Sequence, residues 1–137
     1  MIILSNEHYQ EILTHSFNAL PMEACGLLGG IVEGDVEVVK KVYGLTNIDQ
    51  SPEHFSMDPS EQFAVVKDLR KNGWVLLGNF HSHPASPARP SEEDQRLAFD
   101  RKASYLILSL LEKDTPILKS FRIQGGEAVE ELVLRQD

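Results

Sequence analysis

Cysteine is almost missing from this sequence: Cys25 is the single one in 137 residues. That excludes an intramolecular disulfide framework and any zinc cluster built on several thiolates, so a metal held here must rely on histidines and carboxylates. Basic residues are scarce as well, 13 Lys and Arg against 21 Asp and Glu, for a formal charge of −8. With no Lys/Arg-rich stretch the chain lacks the electrostatic footprint of nucleic-acid binding, and a partner with a basic face fits better. Long apolar runs are absent too. The opening Met1-Ile2-Ile3-Leu4 stops at Ser5-Asn6-Glu7, too soon for a signal peptide, and the run 105–111 falls far short of a membrane span. The expectation is a cytoplasmic protein with no membrane association. No repeat, low-complexity tract or linker interrupts the chain, so residues 1–137 are expected to form one domain.

What is present alternates between helical and strand periods. Ser5 can cap a helix over 6–20, where Tyr9, Ile12, Leu13, Phe17 and Leu20 recur every three or four residues until Pro21. Residues 25–32 and 36–43, joined by Glu33-Gly34-Asp35, read as a hairpin. After a polar loop over 47–57, Asp58-Pro59-Ser60-Glu61 supplies a cap, a proline at the first helical position and a glutamate, and the helix runs to Gly73. Residues 74–81 read as a strand, and Pro84, Pro87 and Pro90 stiffen the loop beyond it. Ser91 caps a third helix expected to reach about Lys102, and 105–111, 117–123 and 129–134 read as strands. The class is α/β, a mixed and largely antiparallel sheet flanked by about three helices.

The chemistry concentrates in His81-Ser82-His83-Pro84 and in Pro90-Ser91-Glu92-Glu93-Asp94. Histidines at i and i+2 of a strand project to one face, so both imidazoles can converge on an ion, while Ser82 points the other way. The proline-rich loop can bring Asp94, in the first turn of the next helix, back as a third ligand. Two imidazoles and one carboxylate suit Zn²⁺ and leave a fourth tetrahedral position for water. The same Ser91-x-x-Asp94 also reads as a helix capping box, and the two readings are compatible. Cys25 reads as strand packing, His8 and His15 as solvated positions on the first helix, and His54 as a loop residue able to contact substrate.

His81, Ser82 and His83, then seven residues, Ser91, two residues and Asp94 resemble the JAMM signature of the MPN family of zinc metallopeptidases, with every specified position filled. The segment from Glu23 through Cys25-Gly26-Leu27-Leu28 to Gly30 is similar to that family's early glutamate block. Further similarity lies in Asn47, in Phe55-Ser56-Met57-Asp58-Pro59 and in the run 105–110. The resemblance implies an MPN, cytidine-deaminase-like fold with one catalytic zinc held by His81, His83 and Asp94. It implies that Glu23 contacts the ion's water as general base, and that Ser91 donates to the developing oxyanion. Compact prokaryotic members of this kind imply, as partner, a ubiquitin-like or sulfur-carrier protein with an extended C-terminal tail, cut at a peptide or isopeptide bond, for example to remove a terminal cysteine. An exposed strand edge near Phe55-Ser56-Met57, or in the hairpin, is the expected dock for that tail. Two other readings are a non-catalytic MPN scaffold, which the complete ligand set disfavours, and a RadC-like DNA-associated protein, which the acidic balance disfavours.

Overall fold

The computed structural model of the chain describes residues 1–98 and 100–137. Among these residues run β1 (Ile2–Ser5), α1 (Asn6–Ala19), β2 (Cys25–Glu33), β3 (Val36–Leu45), α2 (Pro59–Asn72) and β4 (Val75–His83). There follow α3 (Glu92–Leu97), β5 (Ser104–Ser109), β6 (Ile117–Gln124), β7 (Glu127–Glu131) and β8 (Val133–Gln136). The strands form one eight-stranded sheet in the order β7-β6-β5-β4-β2-β3-β1-β8. Four of its seven pairings are antiparallel, and β1–β3, β1–β8 and β4–β5 are parallel. The expected mixed, mostly antiparallel α/β architecture is what forms.

β7 and β8 stand at opposite ends of that order, yet only Leu132 separates them in the chain. The Ile2 amide donates to the Leu132 carbonyl at 3.0 Å. The sheet therefore curls until its edges meet, which gives it an inner and an outer face. On the inner face Tyr9 and Ile12 of α1 pack against Ile2, Leu4, Leu28, Phe80, Leu106 and Leu108. On the outer face Val65 and Leu69 of α2 pack against Cys25, Leu27 and Leu45. Strand alternation sorts the residues: Phe80 faces in, whereas His81 pairs across from Cys25 and faces out with it. Fully burying a Leu or Ile contributes about 1.5–3 kcal/mol, so the inner cluster is the main source of rigidity beneath β4. Gly78 lets β5 approach closely at the root of that strand, since a Cβ there would lie 1.9 Å from the Ser104 carbonyl oxygen.

Local signals set most boundaries. Ser5 Oγ accepts from the His8 amide at 3.0 Å, and Asp58 caps α2 by accepting from Ser60 at 2.8 Å. Gly73, at φ 70°, ends α2 in the left-handed region. Two expectations are corrected, and one strand goes unannounced in the sequence. The third helix stops at Leu97 rather than near Lys102, because α3 buries none of its residues and Asp100 turns the chain by accepting from the Lys102 amide at 2.9 Å; Phe99, within that expected stretch, lies outside the described residues. Residues 2–5 form a strand that four apolar residues cannot announce by period, since its parallel partners come from β3 and β8. The strand expected over 129–134 is two strands, broken at Leu132 where the chain passes from one sheet edge to the other.

Candidate metal centre

β4 ends in His81 and His83, 3% and 5% exposed, on the outer face. Ser82 between them points inward, wholly buried, and its Oγ accepts from the Ala24 amide at 2.8 Å. The Ser82 amide in turn donates to the Ala24 carbonyl at 3.0 Å. This serine therefore ties the histidine strand to the segment that carries Glu23. The loop after β4 returns through Pro87, whose carbonyl lies 2.9 Å from His83 Nδ1. With Nδ1–H donating to that carbonyl, His83 presents the Nε2 lone pair outward. His81 has no such support: its buried Nδ1 has no hydrogen-bond partner among the described residues, and its ring stacks on Phe55 with centroids 4.7 Å apart.

α3 delivers the third group. Ser91 Oγ accepts from the Asp94 amide at 3.0 Å and Asp94 Oδ2 accepts from the Ser91 amide at 2.9 Å, a complete capping box. The same Oδ2 lies 3.2 Å from both His81 Nε2 and His83 Nε2, and those two nitrogens are 3.1 Å apart. Capping and convergence thus use one carboxylate, and the cap aims it. Three acceptor atoms in a near-equilateral triangle repel one another unless a cation lies among them. Donors about 2.0–2.1 Å from a tetrahedral zinc stand about 3.3 Å apart, so the triangle fits that ion. Burial opposes ionisation of Asp94, but the two imidazoles facing it and the Ser91 amide that donates to it outweigh that cost and hold the carboxyl well below its usual range. Burial likewise holds His81 toward its neutral form, the form that binds metals.

Glu23 lies on the segment between α1 and β2, 5% exposed, and its buried Oε1 has no hydrogen-bond partner among the described residues. Burial, with Asp94, Glu93 and Glu53 nearby, pushes its carboxyl up to about 8, against the opposing pull of His83. Its backbone is clamped: the amide donates to the Ser51 carbonyl at 2.8 Å and the carbonyl accepts from Asn47 Nδ2 at 3.0 Å. Asn47 also donates to the His54 carbonyl at 2.9 Å, so the loop over 47–57 and Glu23 are fastened together.

His81, His83, Ser91 and Asp94 come together on this face, with Glu23 near enough to interact with His83 and Asp94, and several other residues join them unannounced. Asn47 and Phe55 were legible only as points of resemblance, and their roles come from the loop's return over the strand ends. His54 Nδ1 pairs with Glu93 Oε2 at 2.5 Å, linking that loop to α3 beside a cavity of about 320 Å³ that also touches His81 and Asp94. His8 and His15, expected to be solvated, are both engaged. His8 completes the α1 capping box, and His15 Nε2 lies 3.0 Å from the Cys25 and Leu45 carbonyls. Cys25 is buried in strand packing as expected, and burial pushes its thiol up to about 12.

The curled sheet with its flanking helices has a known counterpart. A crystal structure of a JAB1/MPN domain protein from Archaeoglobus fulgidus shares the fold, with a TM-score of 0.60 over 100% of this chain and 98% of that one at 21% identity. The chain belongs to the Prok-JAB family, prokaryotic homologs of the JAB domain, whose model matches residues 5–124. It is similar to a protein of Mycobacterium tuberculosis named "CysO-cysteine peptidase", 30% identical over 133 residues, covering 97% of this chain and 90% of that one. A Thermus thermophilus protein named "Probable TtuB-protein conjugate cleaving protease" is 32% identical over 126 residues, 91% of this chain and 78% of its own. A solution structure of a Desulfitobacterium hafniense protein matches at 59% identity and a TM-score of 0.93, over 100% of this chain and 94% of that one. No helix among the described residues is long and apolar enough to cross a membrane.

Proposed function

We propose that this protein is a zinc-dependent peptidase that hydrolyses a peptide or isopeptide bond at the C-terminal tail of a sulfur-carrier or other ubiquitin-like protein, acting in the cytoplasm. The observation that carries the reading is the triangle of His81, His83 and Asp94 donors, 3.1–3.2 Å on a side, with the buried Glu23 carboxyl, whose Oε1 has no hydrogen-bond partner among the described residues, interacting with His83 and Asp94. The relatives named for CysO-cysteine and TtuB-conjugate cleavage support the substrate class. An intact donor set and glutamate weigh against a purely scaffolding role.

His81, His83 and Asp94 would hold the zinc, which when bound polarises a carbonyl and acidifies a water. Glu23 then takes the proton of the attacking water at Oε1 and returns it to the departing amine. A carboxyl lifted by burial is suited to both halves of that exchange, since it neither holds nor sheds a proton too firmly. Ser91 serves twice. Its oxygen lone pair accepts from the Asp94 amide, and its O–H remains free to donate to the carbonyl oxygen as negative charge develops there.

Ser91 can be tested by separating those duties. Ser91→Ala is expected to lose about 1 kcal/mol of helix capping together with about 10²–10³-fold in rate. Ser91→Gly retains all but a few tenths of the capping energy, roughly, and should show the same rate loss with little change in melting temperature. Equal activity in Ser91→Gly and wild type would remove the oxyanion role.

The substrate class is tested by intact-mass analysis of a CysO-type carrier extended by one C-terminal cysteine, after incubation with zinc-loaded wild type and with the Glu23→Gln variant. Loss of the cysteine with wild type only is the expected result. No loss with zinc confirmed in the protein would overturn this substrate assignment.

A further inference from the structure

Asn79 is used by neither the metal centre nor the packing of the fold. It stands on β4 two residues before His81, so both side chains leave the outer face, about 7 Å apart along the strand. It lines the cavity of about 320 Å³ that opens beside His81 and Asp94, with Leu27, Phe55, Met57 and Leu97 among the apolar walls. Its Oδ1 is buried and has no hydrogen-bond partner among the described residues. Such an oxygen has given up water and received nothing in exchange, which native proteins tolerate chiefly where a ligand supplies the donor.

The surrounding register says what kind of donor. Asn79 pairs with Leu27 on β2 and with Tyr105 on β5, so β4 is flanked on both sides and its main chain cannot take on another strand. β2 is likewise enclosed between β3 and β4, so the β2 half of the hairpin offers no free edge for a tail. A side-chain amide is the peptide-like group available on this floor. An extended peptide laid along it rises by about the same 3.3–3.4 Å per residue as β4, so the offset from His81 to Asn79 corresponds to two substrate residues.

The geometry points to Asn79 as a specificity residue for an extended tail, its Oδ1 accepting a main-chain N–H about two residues from the scissile carbonyl on the acyl side. The assignment rests on the peptidase reading above: when a single terminal residue is released, the leaving side has no second residue, so the contact falls on the carrier's tail. Asn79 thereby selects a tail with a free N–H at that point and rejects one with proline there.

The test uses the zinc-loaded Glu23→Gln protein, with Asn79 intact or replaced by leucine, and a synthetic peptide of the last eight residues of CysO followed by cysteine. In further peptides one amide N–H at a time, over the first four residues before the scissile bond, is replaced by ester oxygen. One ester position is expected to weaken binding about tenfold with Asn79 present and to have no effect with Asn79→Leu, which keeps its zinc and melts no lower than the parent. Asn79→Ala repeats the measurement if leucine does not fit. The same ester losses with and without Asn79, or equal binding of the unmodified peptide by both proteins, would overturn the assignment. Cleavage of the unmodified peptide by wild type, measured alongside, separates the two claims. An ester effect without cleavage removes the peptidase reading and, with it, the place of Asn79 relative to a scissile bond, leaving only a contact to the tail; cleavage without an ester effect removes Asn79 alone; neither binding nor cleavage removes both.

Discussion

Replacing Glu23 by glutamine is expected to cut turnover by about 10²–10⁴-fold while zinc content stays at the wild-type level. Glutamine keeps the volume of the buried side chain but has no proton to exchange, and His81, His83 and Asp94 are untouched. Metal analysis and single-turnover rates on the same preparation check both halves, and a Glu23→Gln protein that turned over at the wild-type rate would remove the mechanism proposed here. The substitution also has a pH signature in metal-free protein. Burial lifts the folded carboxyl from 4.5 to about 8, so the folded chain binds that proton more tightly than the unfolded one. Below pH 4.5 the group is protonated in both states and contributes no difference; as pH rises from there to about 8 it increasingly favours unfolding. Metal-free Glu23→Gln lacks this slope. Its stability should therefore pull ahead of wild type across that interval, by on the order of a few kcal/mol at the upper end, read as a higher melting temperature. Parallel melting curves for the two proteins would show that the carboxyl is not desolvated as described.

Asp94→Asn is expected to weaken zinc retention by more than about 100-fold, the upper end of the effect of merely outer-shell partners, and to abolish activity at limiting metal. The prediction is sharp because two roles of Asp94 separate. An asparagine Oδ1 can still accept from the Ser91 amide, so the α3 capping box survives, but the negative charge that completes the donor triangle is gone. Equilibrium dialysis against a zinc buffer reads the metal, and the melting temperature of the metal-free protein reads the cap. Zinc affinity equal to wild type would remove Asp94 from the ligand set. A large fall in metal-free stability with zinc retained would make it a structural cap alone.

The strand histidines and the capping serine–aspartate pair were readable because their rules are local. A period of two places His81 and His83 on one face, and a helix start places Ser91 and Asp94 within one turn. Glu23 was readable only through resemblance, since nothing within a few residues of it announces a partner. Its position is secured by Ser51, Asn47 and Ser82, the last 59 residues away in the chain. Asn79 gave no signal at all. Two positions before a histidine on β4, it reads as any polar residue does, and its significance lies in a missing partner that only the folded structure reveals.

The sequence by itself determined the class of fold, the capped helices, the hairpin and the residues of the candidate metal centre, because propensity, capping and alternation act over a few residues. Only the tertiary structure decided that the sheet curls until β7 and β8 meet at Leu132, and that α3 ends at Leu97. It alone decided that the loop over 47–57 folds back to brace Glu23, and that one oxygen of Asp94 both caps a helix and closes the donor triangle. Those outcomes depend on groups far apart in the chain competing for the same buried space and the same hydrogen bonds, and no local rule carries that competition.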